Sequence, residues 1–195
     1  MAWTAPGYVP PVFRDGSFGR AGPSGSNARF LRPDSVLVVL MIAEVDDCST
    51  PDSELVAEST NEGARFRCHV LPDRRYPVDR YARGLVGLRR FPSRVVLGLM
   101  AGIPDRAEEQ TPTEILGRAE MIERPDPLST AGVAALCTSA EGLAEPARRM
   151  IGVGEAVAAA GGHVAVSQVC SSDTLSLGFE RRVLAATLDA MQGTP

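Results

Sequence analysis

The fold turns on Ser35-Val36-Leu37-Val38-Val39-Leu40-Met41-Ile42-Ala43-Glu44-Val45-Asp46-Asp47-Cys48-Ser49. Residues 36–43 are apolar without interruption. That is the pattern of a strand buried on both faces in a parallel sheet; a half-solvated strand alternates instead. We read them as the central strand. Arg94-Val95-Val96-Leu97-Gly98-Leu99-Met100-Ala101 and His163-Val164-Ala165-Val166-Ser167-Gln168-Val169 have the same character and supply a second and a third strand. Between the first two, Val78, Tyr81, Leu85 and Leu88 recur at helical spacing behind Pro77, which predicts a helix over 77–90. Between the second and third, Met150, Ile151, Val153, Val157 and Ala158 form a stripe over 146–160 that Gly161-Gly162 ends. A short helix over 113–122 takes Thr113 as its N-cap, and a last helix runs over about 175–191. Strands alternating with helices predict an α/β layer fold with right-handed crossovers, its ligand loops at the carboxyl ends of the strands.

Three strands are few for a parallel sheet covered on both faces, so part of the usual architecture is missing. The size is nevertheless that of one cored domain: 195 residues, 44% of them hydrophobic. With 20 basic residues against 24 acidic ones the net charge is −4, and no global positive field draws a nucleic-acid backbone. Every one of the 20 is Arg. This excludes chemistry that needs an ammonium, such as the P-loop lysine or a Schiff-base lysine. The longest apolar run, 36–43, falls far short of the roughly 20 residues of a membrane helix. Residues 1–30 carry five Gly and four Pro and no apolar run. They read as a disordered arm without an export signal, ahead of a domain over 31–192.

The candidate chemistry follows the first strand. Glu44, Asp46 and Asp47 stand where an α/β fold places its functional loop, and their oxygens suit a hard cation such as Mg²⁺ or Ca²⁺. The plainer reading is an acidic turn that caps a helix. Residues 41–62 hold seven acids and no base, whereas 63–94 hold nine Arg and two Asp, so the two stretches attract. Cys48, Cys68, Cys137 and Cys170 contain no CxxC pair, which leaves two disulfides in one of three connectivities or four thiols. His163, Cys170 and Asp173 do not make a nucleophilic site. His163 and Cys170 close opposite ends of one strand, about 20 Å apart and on opposite faces. Gly152-Val153-Gly154 lies within a predicted helix and is packing rather than a dinucleotide fingerprint.

One ordered series covers about residues 27–191. It runs from Phe30-Leu31-Arg32-Pro33-Asp34 through the 36–43 strand, Asp46-Asp47-Cys48-Ser49, Arg67-Cys68, Pro77-Val78-Asp79-Arg80-Tyr81 and Ala101-Gly102-Ile103-Pro104. It continues through Arg124-Pro125-Asp126-Pro127, Cys137, Ala147-Arg148-Arg149 and Val166-Ser167-Gln168-Val169-Cys170. The series resembles the later half of von Willebrand factor A-like (vWA) domains of secreted or envelope-anchored bacterial proteins. The resemblance implies a three-layer, Rossmann-like, mostly parallel sheet of which only the last three parallel strands, 36–43, 94–101 and 163–169, are present. It also implies two disulfides, Cys48 with Cys68 and Cys137 with Cys170, and an extracytoplasmic location. In that family a metal is held by a DxSxS loop, a Thr and an Asp. Here Glu44 stands for the Asp and Ala43 for the Thr. The nearest DxSxS, Asp15-Gly16-Ser17-Phe18-Gly19, ends in Gly, and Pro10-Pro11 spoils the strand before it.

The expectation is a non-enzymatic, adhesion-type binding domain with a degenerate metal site and no cofactor. Without its first half, the 36–43 strand has an unpaired edge that recruits the N-terminal arm, a second copy of the chain or a separate protein partner carrying the first half. Two alternatives stand beside it: a small α/β metal-dependent enzyme using Glu44, Asp46 or Asp47, and a truncated structural fragment that oligomerises.

Overall fold

The computed structural model describes residues 32, 35–52, 54, 55, 64–126, 132–140, 142–170 and 178–192, with the backbone alone at 13, 14, 17, 18 and 64–66. In chain order the elements are Phe13–Arg14 (β1), Ser17–Phe18 (β2), Leu37–Ile42 (β3), Ala64–Val70 (α1), Val78–Val86 (α2), Val95–Ala101 (β4), Pro112–Leu116 (α3), Cys137–Thr138 (β5), Leu143–Ala144 (β6), Arg148–Ala159 (α4), His163–Gln168 (β7) and Phe179–Gln192 (α5). Of the expected N-terminal arm, the described residues are the antiparallel pair β1–β2; the rest lies outside them. Asp173 and the start of the last predicted helix also lie outside them.

The three apolar runs form one parallel sheet in the order β3-β4-β7, with Leu40 opposite Gly98 and Gly98 opposite Ala165. This corrects the reading of 36–43 as the central strand. β4 is central and buried at every position, whereas β3 is an edge strand whose residues alternate between half-buried and exposed. An uninterrupted apolar run reads alike in a central and in an edge strand, so it does not give the order of the sheet. On one face, Val95, Leu97, Leu99 and Ala101 of β4 pack with Met150, Ile151, Val153 and Val157 of α4 and with Ile115 of α3, while α2 packs on α4. On the other face α5 lies over β4 and β7.

The helices start and stop for local reasons. α3 begins at Pro112, and its N-cap is Thr111 rather than Thr113. The Thr111 hydroxyl accepts the Glu114 N–H while the Glu114 carboxylate accepts the Thr111 N–H, a complete capping box. Thr113 instead donates to Glu155 of α4 at 2.8 Å. α2 is shorter than the predicted 77–90, since the chain turns at Gly87. Its Arg80 is buried and stacks on Tyr76 at 3.9 Å. After β4, Gly102 admits the 145–147 segment that leads into α4: a Cβ there would collide with the Glu145 carbonyl oxygen, and Gly102 O accepts the Ala147 N–H at 3.0 Å.

Candidate functional site

The carboxyl end of the sheet gathers most of the buried charge. β3 ends as the Ala43 N–H donates to Met100 O, and the chain turns through Asp46 and Asp47 toward the first turn of α4. Asp46 is buried, and its carboxylate accepts the N–H groups of Arg149 at 2.8 Å and Met150 at 3.1 Å. Ala147, at the N-cap position of α4, has no side-chain oxygen to offer, so Asp46 caps that helix from the neighbouring loop. Burial pushes the Asp46 carboxyl up to about 6, against the opposing pull of these N–H groups. Asp47 turns one oxygen to the N–H and hydroxyl of Ser49 and the other to Nε and Nη2 of Arg149, at 3.2 and 3.0 Å. Arg149 Nη2 also donates to Tyr76 O at 2.6 Å. Glu44 is exposed, and only its backbone is engaged, accepting the Glu145 N–H at 2.9 Å.

The three carboxylates singled out in the sequence are thus placed apart, one exposed, one capping and one paired with Arg. Among the described residues no group of three or more His, Cys, Asp or Glu side chains is arranged to hold a metal ion. The acidic and basic stretches do meet, as Arg74 pairs with Asp52 at 3.0 Å and Arg67 donates to Glu54 O.

Both disulfides pin loops at this end. Cys48 is bonded to Cys68 of α1, and Cys137 of β5 to Cys170 just beyond β7, with Cα atoms 5.7 and 5.9 Å apart. Cys170 is therefore no nucleophile, and His163 stands at the opposite end of β7.

Beside Cys68 lies a group that sequence spacing does not reveal. His69 is held between Glu123 and Glu145, with Nδ1 3.2 Å from one carboxylate and Nε2 3.6 Å from the other. Burial alone would lower the imidazole, yet contact with Glu123 and then Glu145 outweighs it and raises it to about 9. Burial works against Glu123 too, but His69, Arg75 and Arg148 hold its carboxyl below the usual range. Arg75 is held below its ordinary value, by burial first and then by the charge of Arg149. This is a compensated buried network with His69 protonated at neutral pH.

Two cavities lie apart from this cluster, neither of them lined by His69, Glu123 or Glu145. One, about 170 Å³, lies under β3 between α2 and α4, lined by Met41, Val78, Tyr81, Leu85, Met150 and Val153, with the Asp47–Arg149 pair at its carboxyl end. The other, about 520 Å³ and open, lies past β4 and β7 and is polar, with Asp105, Arg118, Glu120, Thr138 and Gln168 around the Cys137–Cys170 bridge. There Gln168 donates to Ile103 O and to Asp105 Oδ1, at 2.9 and 2.7 Å.

No family model, curated protein or solved structure matches the chain. No helix among the described residues is long and apolar enough to cross a membrane.

Proposed function

We propose that the chain is a non-enzymatic, extracytoplasmic protein-binding domain, the later half of a vWA-like sheet, which binds by accepting a strand from a partner along β3. The observation that carries this reading is the open edge itself. Among the described residues β3 pairs only with β4, its six residues are all apolar, and it has none of the charges, prolines or bulges that normally blunt an edge strand. Since the Ala43 N–H points to Met100 O, the odd-numbered residues bond to β4 and those of Val38, Leu40 and Ile42 face outward. A strand laid there gains a ladder of backbone bonds and sets a side chain into the 170 Å³ apolar cavity beneath Met41. The carboxylates support binding without metal: Asp46 and Asp47 are committed to α4 and Arg149. The two disulfides support an oxidising compartment.

Proline at position 40 removes an outward N–H while leaving the β3–β4 ladder in place. Binders selected from a displayed library of extended peptides should therefore bind the wild-type chain and lose Leu40→Pro. Selection of none, or of binders indifferent to that substitution in a folded variant, sinks the reading.

A further inference from the structure

The face of the sheet beside α5 carries a separate inference, which does not rest on strand addition. A helix occupies about 10 Å of a sheet whose strands lie about 4.8 Å apart, so one helix covers two strands. α5 packs on β4 and β7, and over Gly98 its Phe179 and Val183 side chains come near the Leu40 side chain of β3. A Cβ at Gly98 would lie 2.7 Å from Leu40 and 3.0 Å from Phe179, so the glycine allows this close approach. Beside α5, Val38, Leu40 and Ile42 form a partly exposed apolar floor among the described residues. Leu184, Leu188 and Met191, spaced by four and three residues, form one stripe on the outer side of α5. All six side chains are 39–63% exposed, and none of them is charged. A trough and a ridge therefore lie side by side on one apolar surface.

We propose that a second copy of this chain covers that surface, with the α5 ridge of each copy lying in the β3 trough of the other about a two-fold axis. The surface is complementary to itself, as a two-fold interface must be. The exposed floor from Val38 to Ile42 is about 13 Å long, and the ridge from Leu184 to Met191 is about 11 Å long. The patch exposes on the order of 500 Å² of apolar surface, the upper end of what a monomer leaves open. It is the larger part of the ~800 Å² per partner of a standard interface. In the assembly both α5 helices share one layer between two sheets, and both β3 edges stay free. Pairing two copies edge to edge through β3 would instead hold the α5 helices about 20 Å apart and leave the floor between them bare.

The test is sedimentation velocity of the oxidised full-length chain from about 1 to 100 µM, with Leu188→Lys and Ile42→Glu as variants. Both positions are exposed, so far-UV circular dichroism should match wild type. The wild-type chain should be a dimer, and each variant should dimerise at least about 30-fold more weakly. Mixing the two variants should restore dimers, since the Lys on one ridge then meets the Glu in the other trough. A wild-type monomer at 100 µM overturns the proposal. A dimer that survives both substitutions, or that Leu40→Pro abolishes while Leu188→Lys does not, overturns it as well; the latter result would mark edge pairing.

Discussion

Asp46 is buried, His69 is half-buried, and both are raised above their ordinary values, so each ties the stability of the fold to pH. For His69 the folded value of about 9 stands above the ordinary 6.5. Its stabilising contribution is therefore whole below 6.5 and is lost as pH rises through about 9. Urea unfolding at a series of pH values should show that decline in the wild-type chain, and a flatter profile above 6.5 in His69→Gln. Asp46 rises from 3.8 to about 6, so the folded state holds its proton more tightly than the unfolded one. Stability should fall over that interval as well, and Asp46→Asn should remove that part of the slope. Asp46→Ala removes the acceptor for two α4 N–H groups and should cost about 1–2 kcal/mol by equilibrium unfolding; Asn, which keeps one acceptor, should cost less. The capping duty of this acidic turn was legible in the sequence, because Asp after a strand is a common acceptor for exposed N–H groups. That it caps α4, 103 residues away, was not. Nor was the group formed by His69, Glu123 and Glu145, since its members come from three segments and follow no spacing rule.

At the level of elements, periodicity located what is long and repetitive. The α4 stripe and all three strands fall where the apolar pattern puts them. α1 went unread because seven residues, Ala-Arg-Phe-Arg-Cys-His-Val, are too few to establish a period; its bond to Cys48 helps to position it. The pair β5–β6 has two residues per strand and no alternation to detect. The cap of α3 was misplaced by two residues because a Thr inside the apolar pattern was favoured over the Thr just before Pro112. Two predictions belong to this scale. Gly102→Ala sets a methyl group against the backbone carbonyl of Glu145, and the cost should be about 1–3 kcal/mol in urea unfolding. Replacing Cys137 and Cys170 together with Ser removes a bridge spanning 33 residues and should cost roughly 3 kcal/mol, read as a lower unfolding midpoint.

For the molecule as a whole, the number of strands in the parallel sheet was legible and their order was not. Three apolar runs mean three strands, but an edge strand with a bare face and a central strand can be written in the same residues. With Asp46 and Asp47 engaged and Glu44 exposed, millimolar Mg²⁺, Mn²⁺ or Ca²⁺ should leave the thermal midpoint within about 1 °C; a clear upward shift abolished by Glu44→Gln would restore a cation to the account. The placement of the disulfides also sets how the chain behaves under tension. Both lie at the carboxyl ends of the strands, so a pull on the N-terminus peels β3 from β4 through hydrogen bonds alone until it reaches Cys48. The loops of 20 and 33 residues beyond are then withheld from stretching. At ~3.5 Å per residue the oxidised chain ends roughly 180 Å shorter at full extension than the reduced one: a tether with a fixed stop whose length the redox state of its surroundings selects.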